Sequence, residues 1–324
     1  MSQPLVLGIG NALTDITVNA TDKLLDELDL PKGSMQLIDV ERSKELVAKL
    51  NCDKMCAGGC ASNTITGLGR LGLHTAFIGK VGRDDMGFHF AENLIDHGVE
   101  SRLIQSDSPS GTAIALVTPD GERTFATFLG AAVELDADEL SPEMFADAAY
   151  FHIEGYLVQN HDLIRKAVDL AREAGASISM DLASYNVVAE NLDFLRDLVA
   201  PGIDILFANE DEAQAFTGEK DEKMALEALA KECRIAVVKL GKQGSLVARG
   251  TERVHIPIQP VKPVDTTGAG DLYATGFLYG VVKKASLETC GRFGSIIAAE
   301  IIQTLGAHMD MPTWERIRQA YPAK

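Results

Sequence analysis

The stretch of the sequence best suited to chemistry is residues 265–271, Asp-Thr-Thr-Gly-Ala-Gly-Asp, which runs directly into an apolar, helix-like segment at residues 272–278. Two threonines and two glycines leave backbone N–H groups uncovered where a helix begins, and a helix N-terminus of this kind binds phosphate. The stretch is not a Walker A loop, because no Lys and Ser/Thr follow its second glycine. It therefore predicts a phosphate site whose charge must be neutralised by something other than a P-loop lysine.

Asp271 is the unexpected member of this stretch, because a carboxylate beside a bound polyphosphate is unfavourable unless it has a compensating role. One such role is to accept a proton from a hydroxyl that attacks the phosphate. The alternative is that Asp271 lies in the first helical turn only because the helix dipole stabilises an acidic residue there. With the threonines and glycines directly before it, we interpret Asp271 as a catalytic base.

Two further groups of polar residues are expected near this site. Residues 5–10 have the pattern of a buried strand, and we expect Asp15 in the loop at its carboxyl end, where open α/β sheets bind ligands. In residues 58–63, Gly-Gly-Cys-Ala-Ser-Asn, paired glycines let the backbone approach a ligand closely. Asn63 follows one helical turn later, and its amide can both donate and accept hydrogen bonds.

Two more motifs follow predicted strands nearer the C-terminus. Residues 209–212, Asn-Glu-Asp-Glu, offer oxygen ligands suited to Mg²⁺ held through waters beside phosphates. They fit equally a helix N-terminus with Asn as its cap, and both interpretations can hold together. Residues 239–244, Lys-Leu-Gly-Lys-Gln-Gly, allow a tight turn near a nucleotide, although a hairpin turn into residues 245–248 explains them as well.

The elements that must position these residues form an α/β pattern. From residue 150 onward, predicted strands at 150–153, 177–180, 203–207 and 235–239 alternate with helices, which implies a mostly parallel sheet with both faces covered. Around Pro119-Asp120-Gly121 the period changes to two, which indicates a hairpin. We expect one domain, residues 1–324, with a small separate sheet that covers the site as a lid. The segments inserted to form this lid are about 14–20, 34–40 and 111–129.

Composition excludes several classes of protein. Hydrophobic residues at 46% and charged residues at 24% of 324 positions exclude a disordered or fibrous chain. The net charge of −17 argues against nucleic acid and anionic membrane as partners, because both would be repelled. No apolar run approaches the ~20 residues of a membrane span, and the first residues do not resemble a signal peptide, so we expect a cytoplasmic protein.

Two apparent motifs are rejected. Residues 67–72 match the dinucleotide pattern G-x-G-x-x-G, but they close a predicted helix instead of following a strand, which disfavours a dehydrogenase. Cys52, Cys56 and Cys60 have a spacing that would suit metal ligands on one helix face, but Gly58-Gly59 interrupts that helix. We expect buried or half-buried thiols there, and reduced cysteines throughout.

These motifs occur in the order and spacing of the ribokinase-like, or PfkB, family of carbohydrate and nucleoside kinases, which the chain resembles over essentially its whole length. Residues 10–16, 30–35, 127–131 and 154–157 resemble the adenosine kinase branch of that family in particular. The resemblance implies a ribokinase-like three-layer α/β/α core with a mostly parallel central sheet and a small β-sheet lid.

The resemblance also implies a role for each motif. Asp271 is implied as the base, and Gly268, Ala269 and Gly270 as the anion hole. The other implied contacts are Asn11, Asp15, Gly59 and Asn63 for the acceptor; Asn209, Lys239, Gly241, Gly244, Thr266 and Thr267 for ATP; and Glu212 for Mg²⁺ through water. Many ribokinases carry Thr at the position of Lys239. Some members of the family bind a monovalent cation such as K⁺ beside the anion hole.

The sequence thus predicts an ATP- and Mg²⁺-dependent kinase, monomeric or homodimeric, that phosphorylates the 5′-hydroxyl of a nucleoside, adenosine first, in purine salvage. Met35, Phe125, Phe128 and Tyr156 are candidates for an apolar slot that holds a purine. The alternatives are a free-sugar kinase acting on ribose, fructose or ketodeoxygluconate, and a non-catalytic nucleoside-binding regulator. Arg123 either adds a positive group when the lid closes or is a surface residue of the hairpin.

Overall fold

The computed structural model describes residues 3–50 and 54–320, and these residues form an α/β fold with two sheets. The strands are β1 Leu5–Ile9, β2 Leu13–Asn19, β3 Met35–Leu37, β4 Lys54–Gly58, β5 His74–Gly82, β6 Val99–Ser106, β7 Gly111–Val117, β8 Arg123–Phe128, β9 Ala148–Glu154, β10 Ser177–Asp181, β11 Ile205–Asn209, β12 Ile235–Lys239, β13 Ser245–Arg249 and β14 Glu252–Ile256. The α-helices are α1 Asp22–Glu27, α2 Val40–Lys49, α3 Cys60–Arg70, α4 Asp85–Asp96, α5 His161–Glu173, α6 Tyr185–Glu190, α7 Leu192–Gly202, α8 Glu210–Thr217, α9 Glu222–Glu232, α10 Ala269–Val282, α11 Leu287–Ile301 and α12 Met311–Ala320. Short 3₁₀ helices span Gly130–Glu134, Ala137–Glu139, Pro142–Phe145, Gly155–Gln159 and Gly241–Gln243.

The larger sheet has nine strands in the order β14-β13-β12-β11-β10-β9-β1-β5-β6. Its strands from β12 to β6 pair in parallel, whereas β13 pairs antiparallel with both of its neighbours, β12 and β14. The predicted alternation of strands and helices, with a mostly parallel central sheet, is confirmed. Because parallel strands end at the same edge, the residues that follow β1, β9, β10, β11 and β12 gather along one side of the molecule.

Both faces of this sheet are buried, because successive side chains of each strand point to opposite faces. In β1, for example, Leu5, Leu7 and Ile9 pack in the core beneath α5, α7 and α9, whereas Val6 packs in the core beneath α3, α4, α10 and α11. The result is a three-layer α/β/α arrangement. No helix of the described residues is both long and apolar enough to cross a membrane.

The smaller sheet, hereafter the small sheet, has the order β3-β8-β7-β2-β4. The hairpin expected around residue 120 is present as the antiparallel pair β7 and β8. One face of the small sheet packs on α1 and α2 through Ile16, Val18, Ile114 and Leu116, which lie in a core of their own. The alternate residues of the same strands face the large sheet's carboxyl edge.

Several local expectations differ from the structure. Asp15 lies within β2, paired with Cys56 and Ala113, and not in a loop as expected, because the chain leaves β1 and enters the small sheet almost at once. The sequence pattern does not predict β4 or β6. Each lies at the edge of its sheet, where one side of the strand is unpaired and the hydrophobic signal is weak.

The two rejected motifs behave as expected where the structure describes them. Gly67 and Gly69 lie inside α3, so the glycine pattern does not open a helix after a strand. Cys56 lies buried in β4 and Cys60 is half-buried at the start of α3, which confirms the expectation for these two thiols, whereas Cys52 lies outside the described residues. The described residues contain no cluster of three or more His, Cys, Asp or Glu side chains placed to hold a metal.

Candidate active site

A cleft of about 180 Å³ opens at the carboxyl ends of β9, β10, β11 and β12, against the first turns of α3 and α10. Its chemically active lining consists of Cys60, Glu154, Asp181, Glu212, Lys239 and Asp271. The structure thus brings together residues from six separate stretches of the sequence, as the rule for open α/β sheets predicts.

The phosphate-binding stretch forms the start of α10. Gly268 is the N-cap residue in a left-handed conformation with φ 73°, and a Cβ there would lie 2.7 Å from the Cβ of Ala307, so glycine is required on two counts. The N–H of Ala269 donates to the carbonyl of Thr266 at 3.2 Å. The other N–H groups of the first turn lack intrahelical acceptors, which makes this helix start a fitting anion site.

Asp271 follows within the first turn of α10 and borders the cleft. The Nδ2 of Asn63, from α3, donates to its Oδ2 at 2.9 Å. Burial raises the pKa of Asp271 to about 6, and the hydrogen bond from Asn63 opposes that rise. The carboxylate is therefore ionised at neutral pH, yet its pKa is close enough to neutrality for proton transfer.

Two buried amide oxygens, on side chains bonded to carboxyl groups of the cleft lining, lack a partner. Asn11 donates from Nδ2 to Glu154 Oε1 at 2.7 Å, and Glu154 Oε2 accepts from the N–H of Ala61 at 3.1 Å. These bonds fix the start of α3 and the side chain of Asn11. Among the described residues, the Oδ1 atoms of Asn11 and Asn63 are buried without a hydrogen-bond partner, which suits them to accept from the hydroxyls of a ligand.

Asp15 lies on the face of β2 turned away from the small sheet's own core and lines a second pocket together with Phe125 and Asp265. Gly58 of β4 leaves room for its carboxyl, because a Cβ at Gly58 would overlap it. Burial, with the nearby charges of Asp271 and Glu154, raises the pKa of Asp15 to about 7. Gly59 is also confined, because it has φ 94° and its backbone lies against the carbonyl of Asn11. Paired glycines here allow the close approach expected from the sequence.

The face of the small sheet that carries Asp15 is otherwise mainly apolar. Register places Met35 opposite Phe125, and Ala115 opposite Phe125 on its other side. Met35 is 62% exposed, so this apolar surface is open. Phe128 is three residues after Phe125 in β8. Because successive side chains of a strand point to opposite faces, Phe128 faces away from the cleft.

Tyr156 lies in the 3₁₀ helix after β9 and is 39% exposed. Burial, with the charges of Cys60 and Glu154, raises its pKa well above the ordinary value, and its side chain is not part of the cleft lining.

Arg123 and the two threonines meet at Asp265, which accepts from the N–H and the hydroxyl of Thr267 at 2.7 and 2.8 Å. Arg123 Nη1 lies 2.5 Å from Asp265 Oδ1, and its Nη2 donates to the hydroxyl of Thr266 at 3.2 Å. The Arg123 side chain is only 21% exposed, so the surface interpretation is wrong. Arg123 ties the small sheet to the loop that precedes the anion site.

Asn209 and Glu212 form a reciprocal cap at the start of α8, since Glu212 Oε2 accepts from the N–H of Asn209 at 2.8 Å and Oε1 from its Nδ2 at 2.7 Å. Glu210 and Asp211 are exposed, whereas Glu212 is buried and faces the cleft. Burial raises the pKa of Glu212 to about 7. Each of its oxygens keeps a free lone pair, which fits a Mg²⁺ ion held through water and not by direct coordination.

The nucleotide candidates lie at the end of β12. Lys239 is its last residue, and Nζ donates to Asp181 Oδ2 at 2.6 Å. Gly241 and Gly244 have φ of 48° and 88°, and they bound the turn between β12 and the antiparallel β13. The hairpin turn given as the alternative for this motif is therefore present, and of the three nucleotide candidates named here only Lys239 lines the cleft.

Sequence reasoning missed the roles of Glu154 and Asp181. Both are the last residues of parallel strands, β9 and β10, and both line the cleft. The signal that could have found them is an acidic residue directly after a predicted buried strand, which is the same signal that singles out residues 209–212.

The comparisons agree with this geometry. The model of a family described as pfkB family carbohydrate kinase matches residues 32–314. The crystal structure of adenosine kinase from Sinorhizobium meliloti is 36% identical with a TM-score of 0.88, and covers 99% of this chain and 100% of that chain. A probable sugar kinase from Rhizobium etli is 34% identical with a TM-score of 0.88 over 99% of both chains. Adenosine kinase of Saccharomyces cerevisiae is 30% identical over 94% of this chain and 96% of that protein.

Proposed function

Because the chain belongs to the pfkB family of carbohydrate kinases, whose relatives here include sugar and adenosine kinases, we propose that it transfers the γ-phosphoryl group of ATP to the 5′-hydroxyl of a nucleoside, adenosine first. The observation that carries the proposal is the pair of unpartnered amide oxygens of Asn11 and Asn63, of which Asn63 is hydrogen-bonded to the ionised Asp271 and Asn11 to Glu154. Ribose hydroxyls would donate to these oxygens, and Asp15 would accept from another hydroxyl.

The proposed step is an in-line displacement at phosphorus. The 5′-hydroxyl oxygen forms a bond to the γ-phosphorus while the bond from that phosphorus to the β-γ bridging oxygen breaks, and ADP leaves. The hydroxyl proton passes to the carboxylate of Asp271. Asn63 holds that carboxylate by its 2.9 Å hydrogen bond, so the accepting oxygen is fixed before the substrate arrives. The N-terminus of α10 faces the charge that develops on the phosphoryl oxygens.

Magnesium, when bound, would offset the negative charge of the phosphate oxygens. Glu212 would hold it through water, with Asn209 fixing the orientation of the Glu212 carboxylate. The remaining ATP candidates, Gly241 and Gly244, would let the nucleotide lie against the turn after β12.

The apolar face of the small sheet supports a nucleoside over a free sugar. Phe125, exposed Met35 and the small side chain of Ala115 form a surface that suits a flat heterocycle, whereas a free sugar needs more hydroxyl partners. Closure of this sheet over the cleft would exclude water from the reaction. We propose that the small sheet acts as this lid and that the product enters purine salvage in the cytoplasm.

A free-sugar kinase is the second candidate, supported by the probable sugar kinase that matches at the same TM-score as the adenosine kinase. Ribose would use the same contacts to Asn11, Asp15 and Asn63. The two candidates differ in whether the apolar face of the small sheet contributes to acceptor affinity.

The test is release of ADP from MgATP with adenosine, inosine, ribose, fructose and ketodeoxygluconate as acceptors, in K⁺ and in Na⁺ buffers. We expect turnover with adenosine at the lowest KM. Turnover of a sugar but of no nucleoside would replace the proposal with the second candidate. Binding of adenosine by calorimetry without ADP release from any acceptor would indicate a non-catalytic regulator and reject both kinases.

A further inference from the structure

The cleft has an unusual balance of charge for a site that admits a polyphosphate. Four carboxyl groups line it, those of Glu154, Asp181, Glu212 and Asp271, and Lys239 is the one cationic side chain among the described residues of the lining. A whole chain with a net charge of −17 adds to the repulsion. Binding of a phosphate group in the cleft therefore depends on the position of the Lys239 ammonium group.

Lys239 is held at the anion site and not at its margin. Its Nζ would lie 3.2 Å from a Cβ built on Gly270, in the first turn of α10, so the ammonium group packs directly against the phosphate-binding helix start. The side chain is 16% exposed and belongs to the last residue of β12. Gly270 leaves the space that a larger side chain would take from the ammonium group.

Asp181 holds the ammonium group in that position. Its Oδ2 accepts from Lys239 Nζ at 2.6 Å, and its Oδ1 accepts from the N–H of Ala183 at 3.2 Å. Ala183 has φ 64°, a left-handed conformation that costs a residue with a Cβ roughly 1 kcal/mol or more. The loop after β10 thus keeps a strained backbone that fixes the Asp181 carboxyl.

We propose that Lys239 binds the phosphoryl group during transfer, and that Asp181 is a positioning residue that holds the Lys239 ammonium against the N-terminus of α10. The inference rests on the proposed kinase function, because it assigns to Lys239 the positive charge that a P-loop lysine would otherwise bring to the phosphoryl group. Lys239 replaces the lysine that the phosphate-binding stretch lacks, from a different strand of the sheet.

Lys239 is protonated, and therefore positively charged, at neutral pH. Burial lowers its pKa, but the charges of Asp181 and Glu212 outweigh burial and raise the pKa above its ordinary value. A phosphoryl oxygen at the start of α10 can therefore share a permanently protonated ammonium with Asp181. A lysine suits this exchange, since it presents a compact charge with three donors on a flexible stem.

Turnover of the variants Lys239→Gln, Lys239→Arg and Asp181→Asn tests the two roles. We expect Lys239→Gln to lower kcat about 100-fold, as the loss of one transition-state donor does, with the acceptor KM unchanged. Lys239→Arg keeps the charge and retains more activity than Lys239→Gln. Asp181→Asn lowers kcat roughly tenfold by misplacing the ammonium group. Lys231→Gln, at an exposed position of α9, is the matched control and stays at the wild-type rate.

The double variant Asp181→Asn/Lys239→Gln separates positioning from an independent role. If Asp181 acts through Lys239, adding Asp181→Asn to Lys239→Gln changes kcat less than twofold. An equal loss in both backgrounds would overturn the role given to Asp181. The double variant removes both buried charges together, so it remains usable if Lys239→Gln alone fails to fold.

A binding measurement makes the inference independent of the acceptor. Calorimetry with Mg·ADP, and with Mg·ADP plus aluminium fluoride as a stand-in for the transferring phosphoryl, compares ground-state and transition-state affinity. We expect Lys239→Gln to weaken the fluoride complex at least tenfold more than Mg·ADP. Equal weakening, or none, would overturn the inference. Absence of turnover by the wild type with every acceptor, with this difference intact, would reject the proposed acceptors and leave the role of Lys239 standing.

Discussion

Replacement of Asp271 by Asn should inactivate the protein and stabilise it at the same time. The two side chains are nearly isosteric, and the amide oxygen of the introduced asparagine can still accept from Asn63 Nδ2, as Oδ2 does at 2.9 Å. What changes is the charge. Loss of the proposed base should lower kcat by a factor on the order of 10² to 10⁴.

The gain in stability follows from the same charge. Burial raises the pKa of Asp271 from 3.8 to about 6, so the folded state disfavours the carboxylate that the unfolded chain carries. The penalty is absent below pH 3.8, grows as the pH rises to 6, and is complete above it. At 1.36 kcal/mol for each pKa unit, the penalty is about 3 kcal/mol at neutral pH.

Thermal unfolding measures this gain. For 324 residues, about 3 kcal/mol corresponds to an increase in Tm of about 4 °C at pH 7.5. At pH 5 the gain in stability should fall to about half. At that pH the Asp271 carboxyl is still ionised in the unfolded chain but is mostly protonated in the folded protein, so less of the penalty applies. Asp197→Asn, at an exposed position of α7, is the matched control and should change neither activity nor the pH dependence of Tm.

Two results would refute the reasoning separately. A kcat for Asp271→Asn within tenfold of the wild type would remove Asp271 as the base. A Tm at pH 7.5 equal to or below that of the wild type would mean that the Asp271 carboxylate is better compensated by its surroundings than its raised pKa indicates.

Three further substitutions test the surroundings of the base. Gly58→Ala places a Cβ against the Asp15 carboxyl and should raise the KM for the acceptor at least tenfold, with the KM for ATP unchanged, in steady-state kinetics. Phe125→Ala should raise the KM for adenosine roughly tenfold through lost apolar contact, and should leave ribose turnover unchanged. Arg123→Gln leaves the buried Asp265 carboxylate without its cation and should lower the free energy of unfolding by about 3 kcal/mol, measured in urea.

Each of these has a control. Phe128→Ala, on the opposite face of β8, should change stability and not the ratio of adenosine to ribose turnover, and a change in that ratio would contradict the assignment of the two faces. Arg292→Gln breaks an exposed ion pair and should cost under about 1 kcal/mol, so equal effects from the two arginines would show that burial of Asp265 is immaterial. A rise in the KM for ATP in Gly58→Ala would contradict the assignment of Asp15 to the acceptor.

The sequence was sufficient for the inner strands of the large sheet and for the glycine-rich helix start before Asp271, because both depend on local patterns. Buried parallel strands appear as short apolar runs between helices, so β9 to β12 can be read directly. The glycines before Asp271 are required by the backbone conformation of a single turn, and that turn is formed by consecutive residues. Edge strands such as β4 and β6 lack such a pattern, because half of each strand has no partner to bury it.

Other features depend on contacts between distant parts of the chain, and no local pattern encodes these. Asn63 meets Asp271 across 208 positions, and Asn11 meets Glu154 across 143. Whether Phe125 or Phe128 faces the cleft depends on the register of β8 against β7, since a slip of one residue would exchange their faces. Arg123 is a surface residue by its hairpin sequence, and only the approach of the small sheet to Asp265 buries it.

The sequence by itself therefore determined the class of fold and the kinase family, and it predicted a phosphate site at residues 265–271. Only the tertiary structure decided the charges around Asp271: that the charges of Asp271 and Glu154 act on the buried Asp15, and that Asp181 holds the ammonium of Lys239. The physical reason is that burial and Coulomb interactions depend on separation in space, whereas a motif records only separation along the chain.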